Sequence, residues 1–274
     1  MAPAHAPHAA AAECDAIIDR RRARWLATLA RAGAVVIVVA ASFSYVGLFD
    51  PRRLAEGVPS IVKLVTEGLP PDFTNARSWL KPLMDTFAMS IAGTALAVGL
   101  SFPLALLAAR ATTPHPVVYQ LARAVLNGLR SVPELIMGIL FVAAVGFGAL
   151  PGVLALGLHS VGMVGKFFAE AIEHITPEPV EAVRASGASR PQVIMHGILP
   201  QVLPQMADVT IYRWEYNFRA STVMGMVGAG GIGFELMGSL RIMEYREVSA
   251  LLLVILVMVT FVDSLGSVLR KHFK

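Results

Sequence analysis

Glu181-Ala182-Val183-Arg184-Ala185-Ser186-Gly187, continuing through Ala188 to Gly197-Ile198-Leu199-Pro200, is a polar, helix-compatible stretch set between two apolar runs. Gly187 permits a sharp backbone turn between two short helices. Ala182, Ala185 and Ala188 are small enough to let another surface come close, and Pro200 suits the first turn of a following helix. A polar helix pair hung between two membrane spans would be a natural contact for a soluble partner. The fold therefore turns on what the flanking runs are.

They read as membrane spans. Of 274 residues, 55% are hydrophobic and only 15% charged, with a mean hydropathy of +0.63. A soluble domain carries about 25% charged residues. This composition excludes a disordered chain. A net charge of +4, scattered along the sequence, does not make a phosphate-tracking surface. Apolar runs lie at about 26–49, 83–109, 133–150, 153–172, 198–218 and 248–269, the last followed by Arg270, Lys271 and Lys274. The second is about 40 Å long as a helix, enough to cross a ~30 Å hydrocarbon core with tilt, and Pro103 is expected to kink it. The expected fold is an all-α integral membrane protein of about six spans, with a helix pair between spans four and five. Six spans put both termini on one side, and the basic residues slightly favour the inside.

Residues 1–24 read as a disordered tail, and 25–80 as a first transmembrane helix and an extracytoplasmic linker with a short amphipathic helix near 61–67. Residues 81–271 form the main transmembrane domain. The pattern at 110–130 predicts a short helix at the membrane surface, and Pro151-Gly152 a turn.

Function classes fall away on residue chemistry. The single cysteine, Cys14, makes neither an intrachain disulfide nor a metal cluster, and His5 and His8 are tail composition. There is no Gly-x-x-x-x-Gly-Lys-Ser/Thr loop with which the chain could hydrolyse ATP by itself. Gly228, Gly230 and Gly233 match Gly-x-Gly-x-x-Gly, but no βαβ unit surrounds them; an irregular turn beside a pathway is the better reading. No paired carboxylates, Ser-His constellation or metal-ligand spacing supports an enzyme.

Charged residues inside spans are costly, so each needs a partner or water. Lys166 and Glu170, four apart, can pair on one helix face. At 100° per residue Arg213 and Asn217 share one face of the fifth span, and Glu215 and Arg219 the roughly opposite one. Glu215 is expected to pair with Arg219, leaving Arg213 uncancelled for an anion; which face lines a path stays open. His159 reads as a buried, hydrogen-bonded histidine, Met224, Met226 and Met237 as packing, and Asp85 as a helix-end carboxylate.

The stretch 181–200 resembles the Glu-Ala-Ala loop of the integral membrane subunits of ABC importers. Glu181, Ala182, Gly187, Leu199 and Pro200 fall at the matching positions. Val183 replaces the second Ala, and Gly197 stands where the pattern has Ile, a change expected to loosen the second half. The resemblance covers about residues 80–271 and is nearest to phosphonate-type permeases. Supporting stretches are 130–135, 165–173 and 212–219, the last running into the Gly-rich 225–233; methionine-type permeases share a similar Gly-rich end. The resemblance implies a permease subunit for phosphonate or a related phosphorus oxyanion, in the bacterial cytoplasmic membrane. Its partners would be a second copy, two ABC ATPase subunits, an extracytoplasmic phosphonate-binding protein and lipid, with no nucleic acid. This chain would bind no cofactor, with ATP and Mg on the ATPase. Glu181, Ala182, Gly187, Leu199 and Pro200 would couple to the ATPase, and Arg213, Asn217, Arg219, Lys166 and Glu215 are candidates for the pathway. The rival readings are a methionine or other small-solute ABC permease, and a membrane enzyme or self-sufficient channel.

Overall fold

The computed structural model describes residues 6–48 and 50–272, and every regular element among them is helical. The chain divides into two units, 1–66 and 67–274. In the first, α1 (Ala6–Val46) carries the span Arg20–Val46, and α2 follows at Pro51–Glu67. The tail expected to be disordered through residue 24 is thus helical from Ala6 on. Its alanines are the strongest helix formers, and they run without a breaker into the apolar segment. The amphipathic helix expected near 61–67 is longer, starting at Pro51, where proline suits a first turn. His5 and Lys274, and the side chains of His8 and Cys14, lie outside the described residues.

The second unit is built on α3 (Leu80–Ala108) and α6 (Ala149–Glu173), two long apolar helices packed along each other. Small residues set their approach. A Cβ on Gly157 would lie 2.6 Å from the Leu96 side chain, and one on Gly93 3.2 Å from Leu156. α4 (Pro116–Ser131) crosses α6 at Gly162, where a Cβ would lie 2.6 Å from the Leu126 carbonyl oxygen. The core here, with Val161, Val164, Phe168 and Ile172 of α6, also takes in Val180, Val193 and Ile198 from the 177–198 segment.

Two expectations about spans are corrected. The third run yields only α5 (Glu134–Val145), about 18 Å long and too short to cross alone. It meets α4 at 85° across Val132-Pro133, so the third pass is broken. Gly146 and Gly148, at φ +88° and +132°, end it. Pro151-Gly152, expected as a turn, lies inside α6, because proline is accepted in a first helical turn.

After α6 come α7 (Pro177–Ala185) and α8 (Arg190–Val193), then a π turn at Ile194–Ile198 and α9 (Leu199–Met224). A second π turn at Gly225–Ala229, with Gly228 at φ +100°, leads to α10 (Ile232–Arg241), bent 57° from the preceding pass. α11 (Tyr245–His272) carries the last apolar span. At the end of the unit away from α7, Asp72 accepts from the Thr74 hydroxyl and backbone N–H, which holds its carboxyl below the usual range.

Candidate functional site

Two regions gather the residues that the sequence singles out. The first is the α7–α8 element. Its turn is made by Gly187 at φ +82°, with its N–H donating to the Arg184 carbonyl at 3.0 Å. Ser189 opens α8 through a reciprocal capping box with Gln192. Only Val180 and Val193 of the two helices are buried; Glu181, Ala182, Ala185 and Gly187 are exposed on the outer side, with Leu199 partly buried and Pro200 exposed at the start of α9. Gln201 fastens the element to α9, donating to the Gly197 carbonyl at 2.7 Å and accepting from the Thr176 N–H at 3.1 Å. Gly197 does not loosen this half. It is buried, and a Cβ there would lie 3.3 Å from the Val180 Cα, so the missing side chain is what lets α7 pack down. A recess of ≈ 330 Å³ beside the element is lined by Thr112, Thr113, Arg184, Ala188, Arg190 and Ile194, among others. Close by in the fold, Glu173 at the end of α6 pairs with Arg123 at 3.0 Å, and Arg123 donates to the Ala108 carbonyl at the end of α3.

The second region is a polar hub inside the helices. Arg213 is 2% exposed. Its Nε donates to the Ser160 hydroxyl at 2.8 Å, its Nη1 to the Met163 sulfur at 3.0 Å, and its guanidinium lies 4.2 Å from the Tyr216 ring centre. Its Nη2 faces Glu134 Oε2 at 3.9 Å, and each of these two atoms lacks a hydrogen-bond partner. Tyr216 donates to Glu134 Oε1 at 3.0 Å. Asn217 is fully buried, donating to Thr94 at 2.9 Å and accepting from Ser160 at 3.0 Å. His159 Nδ1 lies 3.1 Å from the Val132 carbonyl, which can only accept, so that nitrogen carries the proton. The hub therefore ties α3, α6 and α9 to the first turn of the broken α5.

This geometry revises the expected pairing. Arg213 is not uncancelled, because Glu134 of α5 stands opposite it. Glu215 does not pair with Arg219. It is buried under α11 and meets Arg270 at 2.6 Å. Gly266 makes the room, since a Cβ there would fall on the Glu215 carboxylate. Arg219, with its side chain 48% exposed, stands 3.8 Å from Asp263. Lys166 and Glu170 do face each other, at 3.5 Å, and are both partly exposed. The sequence reading missed Glu134, Ser160, Asp263 and Arg270 as partners. Of these, Glu134 alone lies in one of the stretches that support the resemblance, 130–135. Among the described residues no group of three His, Cys, Asp or Glu side chains is arranged to hold a metal ion.

The family described as "Binding-protein-dependent transport system inner membrane component" matches residues 101–274. The chain is 68% identical over 250 residues to the phosphite transport system permease protein PtxC of Stutzerimonas stutzeri, covering 91% of each. It is 43% identical over 223 residues to the phosphate-import permease protein PhnE of Mycolicibacterium smegmatis, covering 81% of this chain and 42% of that one. Among solved structures, an inward-facing MetNI methionine ABC transporter chain superposes with a TM-score of 0.62 at 20% identity, over 72% of this chain and 96% of that one, a likeness of fold.

Proposed function

The chain belongs to the family of binding-protein-dependent transport system inner membrane components, and from that premise we propose that it is the permease subunit of an ABC importer for phosphite, phosphonate or a related phosphorus oxyanion. Two copies would enclose the path, two ATPase subunits would dock on α7–α8, and an extracytoplasmic binding protein would deliver the anion. The observation that carries the coupling role is the exposed two-helix element turning at Gly187, whose inner residues Val180, Val193 and Ile198 belong to the transmembrane core. A pull on such an element moves the helices rather than a loose loop. The oxyanion reading rests on the 68% identity to a phosphite permease; the methionine alternative has behind it a fold likeness at 20% identity and a probable D-methionine permease at 25% identity.

Domain limits follow the same logic: 81–271 as the transport domain, with 25–80 a first helix and linker. Arg213, Asn217 and Glu215 are held within the fold, which leaves Arg219 and Lys166 as the partly exposed cations of the candidate set.

The chain has no phosphate loop, so purified alone it is expected to hydrolyse no ATP. With its ATPase partner in lipid nanodiscs, hydrolysis is expected, rising several-fold with binding protein loaded with phosphite. Hydrolysis by the chain alone in proportion to its amount, or a complex indifferent to loaded binding protein, would contradict the proposal.

A further inference from the structure

α9 carries a polar seam that no pairing within the unit fully covers. Gln201, Gln205, Asp208, Tyr212, Glu215 and Arg219 follow one another at spacings of four and three residues, which keeps them on one side of a helix for about 27 Å, nearly the depth of a hydrocarbon core. Glu215 is covered by α11, whereas Gln205, Asp208, Tyr212 and Arg219 are exposed. The opposite side is different in kind. There Leu203 is exposed, and Thr210, Ile211 and Trp214 border an apolar groove with Ile91 and Val98 of α3. Lipid tails solvate the second surface and cannot solvate the first.

We infer that this seam lines an aqueous path and faces the same seam of a second copy across it, with Arg219 as the cation that first meets the oxyanion. This rests on the permease reading above. A two-fold axis along the membrane normal sets Asp208 opposite Asp208 and Arg219 opposite Arg219. Like charges so placed repel in close packing, and a water-filled gap separates them. The two guanidiniums then make a doubly positive constriction suited to a phosphorus oxyanion, which each can grip with paired donors. Arg219 is placed for this. It lies about 30 Å along α9 from Leu199, at the end away from α7–α8, and its contact with Asp263 at 3.8 Å is an ion pair without a hydrogen bond. Arg213, by contrast, is enclosed by its partners.

The test uses the full complex of permease, ATPase and binding protein in membrane vesicles, with Cys14→Ser as background. Single cysteines are placed by Gln205→Cys and Tyr212→Cys on the seam, and by Leu203→Cys on the apolar side. Reaction with a membrane-impermeant sulfonated thiol reagent is expected to be at least tenfold faster at the seam positions. Equal rates, or faster reaction at Leu203→Cys, would overturn the path. In parallel, Arg219→Gln is expected to lower phosphite uptake at least tenfold with the complex recovered in full, and Arg219→Lys to restore part of it. Asp263→Asn is expected to keep uptake within about threefold of the parent; an equal loss there would make the ion pair, not the anion, the reason for Arg219. The labelling needs no substrate. A parent complex that failed to take up phosphite would therefore count against the oxyanion reading, while the labelling ratio would still decide the path.

Discussion

Arg213→Gln is expected to cost the complex its stability before it costs it a substrate contact. The substitution removes the counter-charge of Glu134, whose Oε2 is buried 3.9 Å from the guanidinium, and the donor to Ser160. Breaking a buried pair by removing one partner costs about 3–5 kcal/mol, because the remaining charge is left unpaired. The thermal unfolding midpoint of the purified complex should fall, and its yield with it. Arg213→Gln combined with Glu134→Gln should recover most of the loss, since two neutral side chains leave no orphaned charge. The check is a double-mutant cycle on thermal stability, read beside uptake per folded complex. An Arg213→Gln protein of native stability that has lost uptake would contradict this, and would make Arg213 itself the anion contact.

Gly187→Val is expected to uncouple transport from ATP. Gly187 sits at φ +82°, and nothing lies within 4 Å of where its Cβ would be, so the penalty is one of backbone conformation alone. A left-handed conformation costs an ordinary L-residue roughly 1–2 kcal/mol, a five- to thirtyfold shift away from the native turn, and a β-branched residue more. The helices on either side are short, at Pro177–Ala185 and Arg190–Val193, so the turn sets how their exposed sides stand to each other. Uptake should fall at least tenfold and recovery of the ATPase with the permease should fall too, while the transmembrane core keeps its stability. Gly187→Asn should retain most function, because asparagine tolerates the left-handed region. A Val variant that binds the ATPase and transports like the parent would place the docking element elsewhere.

These two residues mark what the sequence made legible. Gly187 could be read because a turn between two short helices is a local matter: one residue type, one dihedral, and a pattern of small neighbours. The long apolar runs of α3, α6 and α11 were legible for the same reason, since crossing a bilayer is a demand on length and composition within one segment. The partner of Arg213 was not. Glu134 lies on another helix, far away in the sequence, and only the break at Val132-Pro133 brings the first turn of α5 against α9. The i,i+4 rule offered Glu215 and Arg219 to each other, and tertiary packing overrode it. Gly266 lets α11 approach so closely that Arg270 reaches Glu215, and Asp263 then takes Arg219. The broken third pass was equally hidden. Hydropathy reports that residues 133–150 are apolar but not that glycines at 146 and 148 end the helix after Val145. The polar seam of α9, in turn, was present in the spacing. It became informative only once the structure showed which side of the helix α3 and α6 cover.

In the proposed function this chain forms the membrane path of an importer for phosphorus oxyanions. The most direct measurement is uptake of labelled phosphite into liposomes holding the permease and its ATPase, with ATP on the ATPase side and the binding protein on the other. Saturable accumulation of phosphite that requires ATP and binding protein, resists excess methionine and is lost in the Gly187→Val complex is the expected result. Accumulation of methionine in place of phosphite, or phosphite entry that proceeds without ATP, would contradict the account.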